Sequence, residues 1–216
     1  VLLSGGTNYS TETANYRTNE SVLHQRIDDI INKALAKNYT TLKTRQQKSH
    51  RMLFDRCQLS ITPDDCNTKP TPQLVADYNK TDSSYLDNHF LEELYFNYGR
   101  YLLISCAQGI ALPSNLQGIW NYSNSAVWHC DIHANINVQM NYWPAEVTNL
   151  SELHNNLLDY IYNEALIHTQ WRDNVNTVLR SANKNENQKP GGFFCSTANN
   201  IFGGGTEWKL QEYAVV

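Results

Sequence analysis

The chain has 216 residues, 41% hydrophobic and 11% aromatic, enough to bury the core of one large domain or of a domain with an appendage. Its 17 basic and 21 acidic residues leave a net charge of −4 with no polybasic run, so nothing electrostatic draws it to nucleic acid or to anionic lipid. The longest apolar stretches, such as Tyr101–Ala107, fall far short of the roughly 20 residues that span a bilayer.

In chain order, Val1–Gly6 reads as an apolar strand running into a Gly turn, without an initiator Met or a charged leader. Val22, Ile27, Ile30, Ile31 and Leu35 fall near helical spacing and predict a helix over 21–37, with Ser21 as its cap. A second helix is expected from Leu42 to Leu59, capped by Thr41, with Met52, Leu53 and Phe54 on its apolar side. Pro63, Pro70 and Pro72 among many Asp, Asn and Thr oppose regular structure over 60–85, which reads as a surface connection and an internal boundary.

From Asp87 the pattern sharpens. Phe90, Leu91, Leu94, Tyr98, Tyr101, Leu102 and Ser105 repeat at three and four, predicting a core helix of about five turns capped by Asp87 or Asn88. Leu153, Leu157, Leu158, Ile161 and Ala165 predict another from Ser151 to about Trp171, and the tail beyond 180 is Gly-rich loop. The fold expected is mainly α, a toroid or bundle of long helices. The apolar stop at Glu212–Val216 suggests an element cut short, hence a piece of a longer polypeptide.

Five cysteines, at 57, 66, 106, 130 and 195, show no paired metal-ligand spacing. Cys106 reads as a buried small hydrophobe, and Cys57 with Cys66 can bridge in an oxidising compartment, which leaves the redox state open. Sequons stand at Asn8, Asn19, Asn38, Asn79, Asn121 and Asn149, a number that so Asn-rich a chain reaches by chance.

Chemistry concentrates between Leu112 and Glu152. Pro113 and Gly118 force a specific loop in which Asn115, Gln117, Trp120 and Asn121 present amides and an indole, groups suited to reading sugar hydroxyls. The 13 Tyr and 5 Trp against 6 Phe fit a carbohydrate cleft, and equally a helical core. His133, Asn135, Asn137, Gln139 and Asn141 then alternate with Ala134, Ile136, Val138 and Met140. Period two predicts an extended segment with its polar groups along one side, crossing a cleft or lying at a solvated edge. Two further readings are weaker: His129, Cys130 and His133 as zinc ligands, lacking a second ligand cluster, and Cys130 as a nucleophile, lacking a visible activator. No cofactor is expected.

Leu112–Asn121 followed by His133–Glu152 resembles the central signature of glycoside hydrolase family 95, the α-L-fucosidases and their α-L-galactoside-cleaving relatives. Phe96–Leu103 is similar to the family's barrel-entry helix, and Asn199–Gly203 to a downstream active-site loop. The resemblance implies part of a six-hairpin (α/α)6 barrel preceded by linker helices and the last strand of a β domain. Residues 1–20 would end the β domain, 21–86 form the helical linker, and 87–216 the first part of the barrel. It implies inverting hydrolysis of terminal α-L-fucosyl or α-L-galactosyl residues, with Asn137 holding the water, Asn135 positioning it, and His133, Trp120, Asn115, Gln117 and Trp208 contacting sugar. The acid Glu and the Asp that polarises the amide are expected beyond Val216, supplied by the remainder of the same polypeptide, so the piece alone should not turn over substrate. Glu146 and Glu152 read as helix-start residues, and Ala198 stands where an acidic side chain is expected. Family habit implies a secreted or periplasmic protein. The alternatives are a non-catalytic carbohydrate-binding remnant and a structural helical domain.

Overall fold

A computed structural model describes residues 1–62, 69–78, 89–110, 112–173, 175, 192–204 and 213–214. In them the chain is mainly helical, and its strands are two residues long. The helices are α1 (Glu20–Leu35), α2 (Tyr39–Phe54), α3 (Thr71–Tyr78), α4 (Phe90–Ala107), α5 (Asn137–Val147) and α6 (Asn155–Tyr162). The strands β1 (Ile132–His133) and β3 (Ala198–Asn199) pair antiparallel, as do β2 (Cys195–Ser196) and β4 (Tyr213–Ala214). None of the described helices is long and apolar enough to cross a membrane.

The first two helices start one and three residues before the positions expected, because asparagines outcompete Ser21 and Thr41 as caps. Asn19 accepts from the Ser21 N–H and Asn38 from the Thr41 N–H, satisfying donors that the first turn leaves open. Helix α1 buries none of its residues; Val22, Ile30 and Leu35 all stand exposed. Residues 1–8 form no strand, since a lone strand has no neighbour to take its backbone groups. The prolines at 70 and 72 start a helix instead of preventing one. The Pro70 carbonyl accepts from the Gln73 and Leu74 amides, and Pro72 sits in the first turn, where its missing N–H costs nothing.

Helix α4 has the expected length, but its buried line is Arg100, Leu103, Ile104 and Ala107, while Tyr98 and Tyr101 stay exposed. Arg100 explains the rotation. Its guanidinium donates to the carbonyls of Leu53, Phe54 and Cys57, at and just beyond the C-terminal end of α2, so a charged side chain only 1% exposed ties α4 to α2. Asp87 and Asn88, the expected caps, lie outside the described residues. Cys106 is buried as expected.

The single helix expected from Ser151 is broken into a 3-10 turn at Ser151–Leu153, α6, and a π-helical turn at Asn163–Ile167. It ends at Thr169, whose φ of 63° no α-helix accommodates. The core runs through Ile104, Val138, Tyr142, Leu150, Tyr160 and Trp171, joining α4, α5 and α6 under the loop at 112–121.

Candidate active site

The extended row expected from His133 to Asn141 forms only at its start. Ile132 and His133 make β1; residues 134–136 turn, and α5 begins at Asn137. Polar alternation masked a helical period in the same stretch: Val138, Tyr142 and Ala145, at i, i+4 and i+7, are all buried, and burial of that face decides the conformation. Asn135 and Asn137 therefore leave the chain at a turn and at a helix start, not along one side of a strand.

That turn is tight and strained. Ile136 has a φ of 132°, and Gln139 folds back to accept from the Ile136 N–H and to donate to the Ala134 carbonyl. Upstream, Trp128, His129 and Cys130 have φ values of 54°, 58° and 52°, three successive left-handed residues that side chains ordinarily avoid. Strain of this kind persists only where the surroundings enforce it, and it gathers at functional sites. Asn135 is exposed and Asn137 half-buried. Neither amide hydrogen-bonds to a described residue, so both remain available to a ligand or a water.

His133 is held from several sides. Its Nδ1 lies 3.0 and 3.1 Å from the two oxygens of Asp131, both residues being buried. The Trp128 ring tilts over it at 5.5 Å. Its backbone pairs with Ala198, and the Ala134 N–H donates to the Thr197 carbonyl at 2.7 Å. Ala198 thus stands directly across from His133. Next to it, Asn199 is fully buried and its Nδ2 donates to the carbonyls of Ile132 and Ser196, stitching the two segments together.

The loop at 112–121 packs against this strand, its Leu116 N–H donating to the Asp131 carbonyl at 3.0 Å. Within it the Asn115 side-chain oxygen accepts from the Gln117 N–H, and the Gln117 oxygen accepts from the Cys130 thiol. Both carbonyl oxygens are thus engaged by the scaffold, and neither amide NH2 group hydrogen-bonds to a described residue. Asn121, expected to face sugar, instead closes a turn on Ser123 in both directions. Gly118 has a φ of 70°, and a Cβ there would lie 2.7 Å from the Trp120 ring, so only glycine lets that half-exposed indole fold over the turn.

Beneath the loop lies a satisfied polar network. Tyr142 donates to the Asn156 side-chain oxygen at 2.7 Å and accepts from the Ser114 N–H at 3.0 Å. Asn156 donates to the Leu112 carbonyl, and Asn141 to that of Asn115. Burial pushes the Tyr142 hydroxyl above its ordinary range, so it stays protonated and keeps donating.

A second cluster anchors the loop that carries β3. Glu164 is fully buried; Tyr16 donates to its Oε2 at 2.7 Å, while Oε1 meets no partner among the described residues. Burial pushes the Glu164 carboxyl up and the Tyr9 hydroxyl to about 12. Gly203, at φ 68°, lies so close that a Cβ there would collide with the Glu164 carboxylate. Trp171 donates to the Gly203 carbonyl and Tyr160 to that of Asn200.

Trp208 and Cys66 lie outside the described residues. Among those described, no group of three or more His, Cys, Asp or Glu is placed to hold a metal ion. Glu146 pairs with His154, and Glu152 meets Arg56 of the chain just after α2 at 2.6 Å, so both carboxylates serve packing. Grooves of about 740 and 570 Å³ lie elsewhere, between α2 and α6 and between α3 and α4, and the His/Asn row lines neither. Sequence reasoning missed Asp131, and it placed Asn199 in a loop similar to an active-site loop without giving that residue a role of its own. Asp131 was detectable, because residues two apart on extended chain share a side.

Comparison with known proteins matches residues 38–215 to the glycosyl hydrolase family 95 catalytic domain. The chain is 33% identical over 166 residues to a probable alpha-fucosidase A of Aspergillus niger, covering 74% of this chain and 20% of that protein. It is 34% identical over 161 residues to the corresponding protein of Aspergillus oryzae, covering 71% and 22%. Against the alpha-L-fucosidase 2 of Arabidopsis thaliana it is 36% identical over 125 residues, covering 57% and 15%. The chain spans about a fifth of the length of these curated relatives.

Proposed function

Because the chain belongs to glycosyl hydrolase family 95, we propose that it forms the water-holding side of a glycosidase centre that removes terminal α-L-fucosyl, or α-L-galactosyl, residues from oligosaccharides with inversion. The observation that carries this reading is the pair of unengaged amides, Asn135 and Asn137, offered by a strained turn beside a braced histidine. The names of the similar fungal and plant proteins support the substrate class.

In this reading the Asn137 amide oxygen accepts one proton of the attacking water and aims its lone pair at the anomeric carbon, with Asn135 as the second contact. An amide is too weak a base to take that proton unaided. An Asp that polarises the amide and a Glu that protonates the departing oxygen complete an inverting pair. Asp131, the carboxylate nearest the row along the chain, is engaged by His133, so both partners are taken to come from the remainder of the polypeptide. His133, Trp120, Asn115 and Gln117 hold the sugar, Trp208 supplies a further contact, and the barrel and domain limits are those of the family. An extracellular or periplasmic site of action belongs to the same reading.

The test is hydrolysis of an α-1,2-fucosylated oligosaccharide by the complete polypeptide, followed by proton NMR from the first minutes. Release of β-L-fucose, abolished in Asn137→Ala, is expected. Release of the α anomer would overturn inversion. Sugar binding without turnover by the complete polypeptide would mark a carbohydrate-binding remnant, and Asn135→Ala and Asn137→Ala variants that bind sugar as before would leave only a structural role.

A further inference from the structure

Resting on that reading of His133 as a sugar contact, we infer that Asp131 is a positioning residue that fixes His133 as the Nδ1–H tautomer and so presents a bare Nε2 to one substrate hydroxyl. Both Asp131 oxygens lie within 3.1 Å of Nδ1, and the two residues are 7% and 8% exposed. An ionised carboxylate only accepts, so the nitrogen facing it must carry the proton, and in a neutral ring the other nitrogen is then an acceptor. Nε2 makes no hydrogen bond to a described residue. It therefore accepts from a sugar O–H and cannot donate to a ring or glycosidic oxygen.

The surrounding chain is organised around this contact. The left-handed run Trp128–Cys130 turns the backbone so that Asp131 enters extended, its own N–H bonded to the Trp128 carbonyl. Extended geometry then puts the side chains of Asp131 and His133 on the same side. Pairing of His133 with Ala198, and of the Asp131 carbonyl with the Leu116 N–H, fixes the backbone at both residues. The imidazole is left with rotation about its own side-chain bonds as its freedom, and the carboxylate and the Trp128 ring remove that. Because Leu116 binds the Asp131 backbone, a side-chain substitution there leaves the loop's attachment in place.

The experiment uses the complete polypeptide labelled with 15N-histidine. Ring 15N–1H correlations separate a protonated nitrogen from a bare one, and His133→Gln identifies the His133 signals among the 7 histidines of this chain and any others. Wild type should show a protonated Nδ1 and a bare Nε2. Asp131→Ala should show mixed tautomers and raise KM for the fucosylated oligosaccharide by about three- to tenfold, the loss of one net hydrogen bond. kcat should change less than about twofold, because a ground-state contact is affected. Asp131→Asn, which keeps an acceptor, should recover part of the loss. A dominant Nε2–H tautomer in wild type, or an Asp131→Ala protein with unchanged spectrum and KM, overturns the inference. The wild-type spectrum needs no variant to fold and no turnover, so a polypeptide that fails to cleave fucosides sinks the functional reading while the tautomer still decides the role of Asp131.

Discussion

Asparagine is used in opposite ways under the loop at 112–121 and in the turn at 134–137. Asn156 and Asn199 are buried with their amides spent on backbone carbonyls of other segments, and Asn156 also receives Tyr142. Asn135 and Asn137 make no side-chain hydrogen bond to a described residue and sit on backbone that includes a φ of 132° at Ile136. A buried donor left unpaired costs free energy, and both NH2 groups of the first pair are spent within the fold, although the Asn199 oxygen meets no partner among the described residues. An unengaged amide on strained chain gives the fold nothing. The same side chain is therefore structural or functional according to where its hydrogen bonds go.

This contrast breaks most visibly at Asn137. Asn137→Ala should lower kcat/KM of the complete polypeptide by about a hundredfold to ten-thousandfold, the usual worth of a proton-handling group, while its thermal midpoint stays where it was. A midpoint that falls with the activity would place Asn137 with the scaffold. Tyr142→Phe should do the reverse. It strands the Ser114 N–H and the Asn156 oxygen in the core, at a cost of about 1–3 kcal/mol in urea unfolding, with only modest loss of rate. Gly118→Ala comes next, at about 1–2 kcal/mol for a side chain in left-handed backbone. It should also raise KM, since the new methyl group pushes the Trp120 ring off the turn. An unchanged KM would remove Trp120 from the sugar site.

How much of this was legible in the sequence follows the same division. Helices α1, α2 and α4 were visible because local period and length specify them, and the His/Asn/Gln row was visible because its composition is unusual. What misled was evidence that two conformations share. In 133–141 the polar residues alternate while Val138, Tyr142 and Ala145 keep a helical period, and only burial decides between them. Arg100 was passed over as a core residue because its partners are carbonyls that appear only when α2 ends beside it. The meeting of His133 with Ala198 joins segments 65 positions apart and has no local signature. Resemblance marked both segments as belonging to a site; the pairing between them needed the fold.

The last prediction concerns the anchor of that pairing and has the smallest effect. Glu164 folds with its carboxyl pushed above the ordinary value by burial, against the opposing pull of the Tyr16 hydroxyl. The folded state therefore binds the proton more tightly than the unfolded chain does, and stability falls as pH rises where the two differ. The contribution is fully present below the unfolded carboxyl's range and is lost as pH climbs through the raised folded value. Glu164→Gln keeps an oxygen for Tyr16 to donate to and cannot ionise. Its thermal midpoint should match wild type near pH 4, exceed it slightly at neutral pH, and show a flatter slope between. If the variant is instead less stable at neutral pH, the carboxylate is charged and satisfied there. The loop that carries Ala198 to His133 would then be held by an ion, and lowering the pH would loosen the site that this cluster supports.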